Sequence, residues 1–456
     1  MKKLNAHQTH ILPHLDRKGY SFLELEAIWQ IHRKITAGLA RLLCFASLQK
    51  SDNTFRKPYI VEKFRKRLFL PSLAVSAFAV AISNGLVTLL LLEIASTFQV
   101  NEGIAVQLRT VNAAAEVVLG LLMSFLAVRF RHKNLLLVGL SLVAVSAVGS
   151  FLAPTLSLML FFSFIEGSGS IMVAVTSFTL IGDSLPLDKK AKAVSWLVAA
   201  GYLFSFIGTP LISFFADIGS WRYAFSLLVL PVSIGGIFLV ILGVPSSKIK
   251  LQQSALSIRA YLNMLKQTFL NKSVASCLLG GLFFTGSAFG VFAIAFYRQH
   301  YLISRTDSVY ILLVVAFLAI VGSLIAGQIG NRFSSKSLTV ASVLGSGVFS
   351  SLVFFVPCLW IALVFNFLAT VCITMATSAY HCLVLEQVPH SRSTTMSLYR
   401  VFSGTGCIIA PALAGGLLAS FASSSIVTSY LAVGIGFGAM NIFAACLLYF
   451  FTKSTC

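Results

Sequence analysis

From residue 69 onward, the chain is a succession of long apolar segments separated by short polar ones. Hydrophobic residues make up 57% of the sequence and charged residues only 11%, whereas about a quarter of the residues in a soluble domain are charged. A run of roughly 20 apolar residues is long enough to cross a bilayer as a helix. The sequence therefore predicts an all-α membrane protein.

The apolar segments predict twelve membrane crossings, six on each side of a basic linker. The predicted helices are 69–93, 103–128, 134–153, 156–181, 191–216, 222–244, 273–297, 307–330, 337–356, 358–385, 393–420 and 427–451. The linker is 245–272, which gives six-helix bundles at 69–244 and 273–452. Residues 1–68 form a polar extension before the first crossing.

Two polar segments of this chain repeat each other at one offset. Ser124–Leu136 matches Gly327–Thr339 at a shift of 327 minus 124, or 203 residues. The matching positions are Arg129 with Arg332, Phe130 with Phe333, Lys133 with Lys336, Asp183 with Glu386 and Pro186 with Pro389. A duplicated membrane half is how many transporters build alternating access. We therefore expect two pseudo-symmetric bundles with the functional site between them.

The net charge of +20 is distributed asymmetrically. Of the 34 Lys and Arg residues, all but five fall on one side of the predicted membrane. The exceptions are Arg109, Arg222, Arg298, Arg305 and Arg400. Cytoplasmic loops carry this excess of basic residues, so both termini and the linker are predicted to be cytoplasmic in a plasma-membrane protein. The lipid bilayer explains the charge, and no nucleic-acid partner is needed.

Several function classes find no support in the sequence. The eight cysteines are scattered, with no C-x-x-C pair and no histidines at metal-ligand spacing, so we predict neither a metal site nor a cofactor. There is no G-x-x-x-x-G-K-[ST] motif for ATP, and no nucleophile–base constellation for an enzyme. Energy for transport would then come from an ion gradient, and we expect a monomer.

The extension at 1–68 is basic and lacks the apolar core of a signal peptide. Leu25, Ile28, Ile35 and Leu39 recur at helical spacing, which predicts an amphipathic helix. Such a helix suits the cytoplasmic membrane surface, where anionic headgroups attract its cations. The alternative is a partly ordered tail without function.

The repeated segments resemble the loop motif of the major facilitator superfamily, G-x-x-x-D-[RK]-x-G-[RK]-[RK]. The first copy, S-F-L-A-V-R-F-R-H-K, keeps Arg129 and Lys133 but has Val128 at the aspartate position. The second copy keeps Arg332, with Asn331 in place of the acid. Residues 219–225, G-S-W-R-Y-A-F, are similar to the G-W-R-x-x-F of many members. The resemblance covers about 69–452 and implies two six-helix bundles and transport of a small molecule.

Helix five resembles the glycine- and proline-rich antiporter signature of exporting members of the family. It carries Gly201, Gly208 and Pro210, with Thr209 where glycine is usual. Small residues let helices approach closely, and a proline removes one helical hydrogen bond and allows a bend. The resemblance favours export over import, although the same residues are also common in ordinary membrane-helix packing.

Ionisable residues inside a membrane are costly and usually functional. Helix two holds Arg109, Asn112 and Glu116 on one face, with Arg109 and Glu116 about 10.5 Å apart along the axis, a gap that Asn112 or a water would bridge. Glu166 in helix four is equally deep. Helix four of the family often has an arginine linked to proton coupling, but Ser163 stands at its position here. Glu116 and Glu166 are candidates for proton coupling, and a structural hydrogen bond is the alternative for Glu166.

Three further polar residues need an interpretation. Arg400 in helix eleven lies too deep for a loop charge, and it would bind either an anionic substrate group or a carboxylate of the facing half. His381 in helix ten would relay protons or, as we prefer, form a hydrogen bond with polar groups of the neighbouring loop. Glu93 lies near the outer end of helix one, where we expect it to pair with Arg109.

The resemblance also implies a cytoplasmic gate. In the family, the loop arginine and an acid at the end of helix four or ten contribute to ion pairs that close the inner side. The matching residues here are Arg129 with Asp183 and Arg332 with Glu386. We predict that both pairs form in the outward-facing state, and that the missing aspartates at Val128 and Asn331 weaken the closure.

These features predict a secondary transporter that exports a small amphipathic organic compound in exchange for protons. The Phe-rich helices suit such a substrate better than a sugar. The alternative is proton-coupled uptake of an organic anion or other metabolite, for which Arg109 and Arg400 supply the charge. An alternative of another class is a non-transporting membrane receptor on the same fold. Deletion of 1–65 would abolish the activity of a receptor but not that of a transporter.

Overall fold

A computed structural model describes residues 57–100, 102–105, 107–217, 220–245, 266, 268–284, 286–330, 332–388, 392–421 and 425–453. The chain divides into two compact units, Met1–Glu62 and Lys63–Cys456. The predicted amphipathic helix and most of the linker lie outside the described residues.

Helices account for nearly all of the described chain, and these residues contain no strand. We label the helices that correspond to the predicted crossings α1 to α12. They are α1 Lys57–Leu89, α2 Gln107–Arg129, α3 His132–Leu152, α4 Leu156–Ser184, α5 Leu187–Leu203 continuing through Phe204–Gly208 and Thr209–Asp217, α6 Trp221–Ala224 continuing through Phe225–Val229 and Leu230–Gly243, α7 Lys272–Phe283 and Gly286–His300, α8 Arg305–Ile329, α9 Ser335–Leu352, α10 Leu359–Gln387, α11 Arg392–Ser420 and α12 Ile426–Phe451. Two short helices, Leu91–Thr97 and Glu102–Ala105, connect α1 to α2.

Eleven of these helical segments in the described chain are long and apolar enough to cross a membrane. The twelfth, α9, lies where the ninth crossing is predicted but is rich in serine. Three of its serine hydroxyls bond within the helix: Ser346 donates to the Val343 carbonyl, and Ser350 and Ser351 donate to that of Gly347. Hydroxyls that bond to their own helix can be buried at little cost. The order of elements therefore agrees with the predicted twelve-helix architecture.

The seventh crossing differs from the single helix predicted at 273–297. Its first part ends at Phe283, and its second part begins at Gly286. Phe284, between them, has an extended backbone conformation, with ψ at 105°. Gly406 of α11 lies so close to Leu282 that a Cβ there would overlap its carbonyl. Irregular backbone at membrane depth occurs where protein or an internal cavity covers it, so this break faces the interior of the protein.

Prolines account for irregular turns in α5 and α6. In each helix a π turn, Phe204–Gly208 or Phe225–Val229, directly precedes the turn that carries Pro210 or Pro231. A proline has no N–H for the helical ladder, and a wider turn accommodates the break. The bend expected at Pro210 therefore takes the form of a π turn.

The duplicated lysines have the same role in both halves. Lys133 at the start of α3 donates to the carbonyls of Ile241 and Val244 at the end of α6, at 2.7 and 2.8 Å. Lys336 at the start of α9 donates to the Thr452 carbonyl at the end of α12, at 2.7 Å. A lysine bound to the last carbonyls of a helix satisfies groups that have no partner within that helix. The sequence repeat is therefore also a structural repeat.

Candidate functional site

The two halves meet at one end of the helix bundle. There, α2 packs against α11 and α5 packs against α8. Ser397 of α11 donates to the Gly120 carbonyl of α2, and Thr394 donates to the Ser124 carbonyl at 3.2 Å. These hydrogen bonds run directly between the backbone of one half and side chains of the other. We call this region the closed end.

Small residues allow equally close packing of α5 against α8 at the closed end. A Cβ on Gly327 would lie 2.7 Å from the Cβ of Ser195, and one on Gly330 would lie 3.0 Å from the Cβ of Ala191. Glycines at these positions let the two backbones approach. Further along the same helices, the rings of Phe206 and Phe317 are 6.1 Å apart. Both of these rings remain partly exposed.

An ion pair across the closed end differs from the predicted one. Asp183 at the end of α4 accepts a hydrogen bond from Arg392, not from Arg129, at 3.0 Å. Arg392 also donates to the carbonyls of Gly182 at 2.7 Å and Leu385 at 3.3 Å. Arg392 opens α11 directly opposite the end of α4, whereas Arg129 is exposed at the end of α2. We call the ion pair of Arg392 with Asp183 the lock. It joins the two halves, while the predicted pair would have joined two helices of one half.

Neighbouring groups complete the closed end. His132 lies 3.6 Å from the other oxygen of Asp183, and Lys190 interacts electrostatically with both Asp183 and Glu386. Glu386 accepts a hydrogen bond from Ser335 at 2.7 Å, while Arg332 is exposed. The pairing of Arg332 with Glu386 stays a prediction.

His381 lies between the halves, inward from the lock. Its ring stacks on Phe178 of α4 at 4.1 Å between centroids, and Nδ1 lies 2.6 Å from the Thr377 carbonyl of its own helix. The sequence favours polar groups of a loop as the partner of this histidine, whereas the partner here belongs to its own helix. The stacked pair covers the closed end from the interior.

Glu116 and Arg400 face each other across the two halves. The Glu116 carboxylate of α2 lies 3.9 Å from the Arg400 guanidinium of α11. The Glu116 side chain is 25% exposed and that of Arg400 is 31% exposed. The pair lies on α2 and α11 immediately beyond their contact at Gly120 and Ser397. The structure thus brings together two residues that the sequence analysis proposed separately.

The other candidates of the first half form a polar cluster among α1, α2 and α4. Arg109 donates to the backbone and side-chain oxygens of Asn84, both at 3.0 Å. Asn112 is 3.4 Å from the Ser163 carbonyl, so it turns toward α4 and does not bridge Arg109 to Glu116. Arg109 was likewise expected to pair with Glu93, but in the structure its partner is Asn84. Sequence reasoning missed Asn84, an uncharged residue in an apolar helix.

Glu166 is held deep in the same cluster. It is 2% exposed, and its Oε1 has no hydrogen-bond partner among the described residues. The neighbouring Gly167 packs on α2 so closely that a Cβ would overlap the Asn112 carbonyl. A buried carboxyl oxygen without a partner is uncommon and is a reason to expect function.

The helix-five residues have separate roles. Gly208 lies within the π turn, where a Cβ would press on the Phe204 ring, while Gly201 has open space beside it. The Phe204 ring itself occupies the space where Gly85 of α1 would carry a Cβ. Gly208 is therefore needed for the local shape of this helix, whereas the structure gives Gly201 no such role.

These features define a class of protein: a membrane protein of two six-helix halves that meet at one end around cross-half ion pairs. The sequence profile described as Major Facilitator Superfamily matches residues 73–411 and, in a second match, 277–455. The chain belongs to this superfamily of transporters, as the sequence resemblance predicts. No curated protein matches the chain by sequence.

Solved structures show the same fold. The proton:xylose symporter XylE bound to 6-bromo-6-deoxy-D-glucose superposes with a TM-score of 0.69 at 15% identity, covering 86% of this chain and 97% of that one. The transporter FucP in the outward conformation gives 0.67 at 14% identity, covering 83% and 98%. A bacterial homologue of the iron transporter ferroportin in the outward-facing state gives 0.68 at 13% identity, covering 84% and 98%. At these identities the likeness concerns the fold alone.

Proposed function

We propose that this protein is a proton-coupled secondary transporter, moving a small amphipathic organic compound between its halves by alternating access. The observation that carries this proposal is the Glu116–Arg400 pair, in which a titratable carboxylate of one half faces a cation of the other. Protonation of the carboxylate removes its attraction for the cation. Proton binding is then linked to the arrangement of the halves.

Glu166 supplies a second proton-binding group. It lies in the same half as Glu116 and interacts electrostatically with it. A charged carboxylate is costly in a buried site within the membrane, and a proton removes that cost. Proton uptake at Glu166 would therefore change the electrostatic energy of the Glu116–Arg400 pair.

The closed end is proposed to face the cytoplasm of a plasma-membrane protein. It carries the basic residues of the repeated segments, including Arg129 and Arg332, and basic loops are retained in the cytoplasm. Both termini would then be cytoplasmic, and the described state would be outward-facing. Two of the similar structures are named as outward states. A single chain holds both halves, which supports transport by a monomer.

The substrate class follows from the walls between the halves. The Phe206 and Phe317 rings are 40% and 52% exposed and belong to different halves. Aromatic surface of this kind binds apolar groups, while charges on the facing helices of the two halves, Glu116 and Arg400, bind polar ones. An amphipathic compound matches both.

Two coupling modes are candidates. Export by exchange with protons is favoured by the helix-five residues Gly208 and Pro210, which shape α5 beside α8. Co-transport of an organic anion with a proton is favoured by Arg400, a cation between the halves. XylE, which shares the fold, is named as a proton symporter.

Transport by purified protein in vesicles that contain a pH dye tests this function. Lipophilic cations, neutral compounds and organic anions are added outside without an imposed gradient, with protein-free vesicles as controls for passive leak. Exchange makes the lumen more alkaline and co-transport makes it more acidic. We expect the substrate-dependent signal to be lost in Glu116→Gln or Glu166→Gln and kept in Arg298→Gln, which removes an exposed charge. Folded protein that gives no signal with any compound would contradict the proposal.

A further inference from the structure

Arg400 has fewer hydrogen bonds than a guanidinium inside a membrane protein ordinarily makes. Its Nε is buried and has no hydrogen-bond partner within the described chain. The Glu116 carboxylate, at 3.9 Å from Nη2, is near enough for attraction but beyond hydrogen-bond distance. Since buried donors are nearly always paired, this group needs an explanation.

Other arginines of this protein show how a guanidinium is satisfied when its role is structural. Arg109 has two oxygens of Asn84 at 3.0 Å. Arg222 has the Ala153 carbonyl at 2.6 Å and lies over the Trp221 ring at 4.5 Å. Arg392 has three acceptors in the lock. Arg400 differs from all three because its donors remain free for an acceptor that the described residues do not supply.

The surroundings of Arg400 are suited to a ligand. Its side chain is 31% exposed, so part of the guanidinium faces the space between the halves. Tyr399, the preceding residue, is 2% exposed and packs against Tyr380 and His381. The backbone that carries Arg400 is therefore fixed, while its charged end is accessible.

We infer that Arg400 binds the anionic head group, a carboxylate, of an amphipathic organic substrate. A planar guanidinium binds a carboxylate through two parallel charge-assisted hydrogen bonds, which the 3.9 Å contact with Glu116 does not provide. The apolar body of the substrate would lie toward Phe206 and Phe317, between the halves. This inference rests on the proposed function and gives its site a substrate class.

Glu116 then competes with the substrate for the same cation. A bound carboxylate draws Arg400 away from Glu116, and a carboxylate left without its cation in an apolar site takes up a proton. The other titratable or charged groups that interact with this pair are Arg109 of α2, Glu166 of α4, His381 of α10 and Tyr399 of α11. Binding of the anion is thus accompanied by proton uptake, which corresponds to co-transport.

A matched series of ligands tests the inference on the purified full-length protein. The probes are 4-phenylbutyrate, 4-phenylbutanol and 4-phenylbutylammonium, which share one body and differ in the head group, together with other aryl and alkyl carboxylates. Calorimetry gives their affinity, and an indicator dye in weak buffer reports proton uptake. The proteins are the unaltered chain, Arg400→Gln, Arg400→Lys, Glu116→Gln and Arg298→Gln, each checked for folding by thermal unfolding.

The two members of the pair are expected to have opposite effects. Arg400→Gln weakens carboxylate binding about tenfold or more, because charge-assisted hydrogen bonds are lost. The carboxylate affinity of Arg400→Lys lies between those of the unaltered chain and Arg400→Gln, since lysine keeps the charge but not the planar guanidinium. Glu116→Gln tightens binding about two- to fivefold and abolishes proton uptake, because the competing charge is gone. Arg298→Gln leaves both unchanged.

Three outcomes would overturn the inference: no carboxylate binds to folded protein, the alcohol or ammonium binds as well as the carboxylate, or Arg400→Gln and Glu116→Gln weaken binding alike. The last would make the pair a purely structural contact. Failure of the anion site can be distinguished from failure of the proposed transport function. Vesicles that transport only cations would support the proposed transport function and refute the anion site. Arg400-dependent binding without flux would support the anion site and refute the proposed transport function.

Discussion

Two arginines of α11 face carboxylates of the other half, and their surroundings differ. Arg392 makes hydrogen bonds to Asp183 and to two backbone carbonyls, all within 3.3 Å. Within the described part of the chain, the charged partner of Arg400 is Glu116 alone, at 3.9 Å. The two residues are about two helical turns apart on one helix. Arg392 is thus part of the contact between the halves. Arg400 lies beside the space between the halves, and its Nε has no hydrogen-bond partner within the described residues.

We propose that Arg392 acts in the closing of the protein and Arg400 in the recognition of its substrate. A guanidinium with several fixed acceptors stabilises one arrangement of the halves, since those bonds break when the halves part. A guanidinium with free donors instead gains its hydrogen bonds from a ligand. Along α11, the lock lies at the closed end and the proposed anion site lies next to the interior.

The largest expected effect is on the closed end. Arg392→Gln should shift the equilibrium away from the closed arrangement by about tenfold, because charge-assisted hydrogen bonds across the halves are lost. Arg400→Gln should shift it by less than about twofold. Spin labels replacing Phe130 and Phe333, which are exposed at equivalent positions of the repeat, report the separation of the halves by pulsed electron resonance in a cysteine-free background.

The control for this prediction is exchange of the two charges. Asp183→Arg together with Arg392→Asp keeps an ion pair and should restore part of the closed population that Asp183→Arg alone loses. Equal effects of Arg392→Gln and Arg400→Gln would show that the two arginines do not divide these roles.

A smaller effect is expected on stability. Gly167→Ala should destabilise the protein by about 1–3 kcal/mol, because the added Cβ would overlap the Asn112 carbonyl and push α2 from α4. Since α2 carries Glu116, the Glu116–Arg400 contact would change as well. Gly235→Ala is the matched control, as its Cβ would meet nothing within 4 Å. Thermal unfolding in detergent measures both variants, and equal stability would count against close packing at Gly167.

The smallest effect concerns the arginine that the sequence placed in the gate. Arg129→Gln should change the closed population by less than about twofold, because exposed charges contribute little and Asp183 is held by Arg392. Asp183→Asn should change it more. The same spin-label distances test this order, and a larger effect of Arg129→Gln would return Arg129 to the gate.

Much of the fold followed from the sequence because membrane crossings are a one-dimensional signal. Runs of apolar residues gave the helices, and the repeated Arg129 and Arg332 segments gave the two halves. The break of α7 at Phe284 was not predicted, because the small residues that follow it, Thr285, Gly286 and Ser287, also occur within ordinary membrane helices. Only its packing against α11 placed it.

The candidate site was predictable in its residue types but not in its pairs. Charges within apolar helices pointed to Glu116, Glu166 and Arg400, since such groups are costly in a bilayer. Their partners were decided by how the helices pack: Arg109 turned to Asn84, and Asp183 met Arg392. The gate assigned by resemblance pairs Asp183 with Arg129, whereas in the structure Asp183 meets Arg392.

The sequence by itself determined that the protein crosses a membrane in two repeated halves, because hydrophobicity and charge act through local composition. The tertiary structure alone decided which ions face each other across the halves, because that depends on distances between helices far apart in the chain. The sequence places Arg392 at the predicted cytoplasmic end of helix eleven and Arg400 within that helix, but it identifies the partner of neither. Hydrogen bonds to α4 and the end of α10 engage Arg392, whereas Nε of Arg400, the residue of the proposed anion site, has no such partner within the described residues.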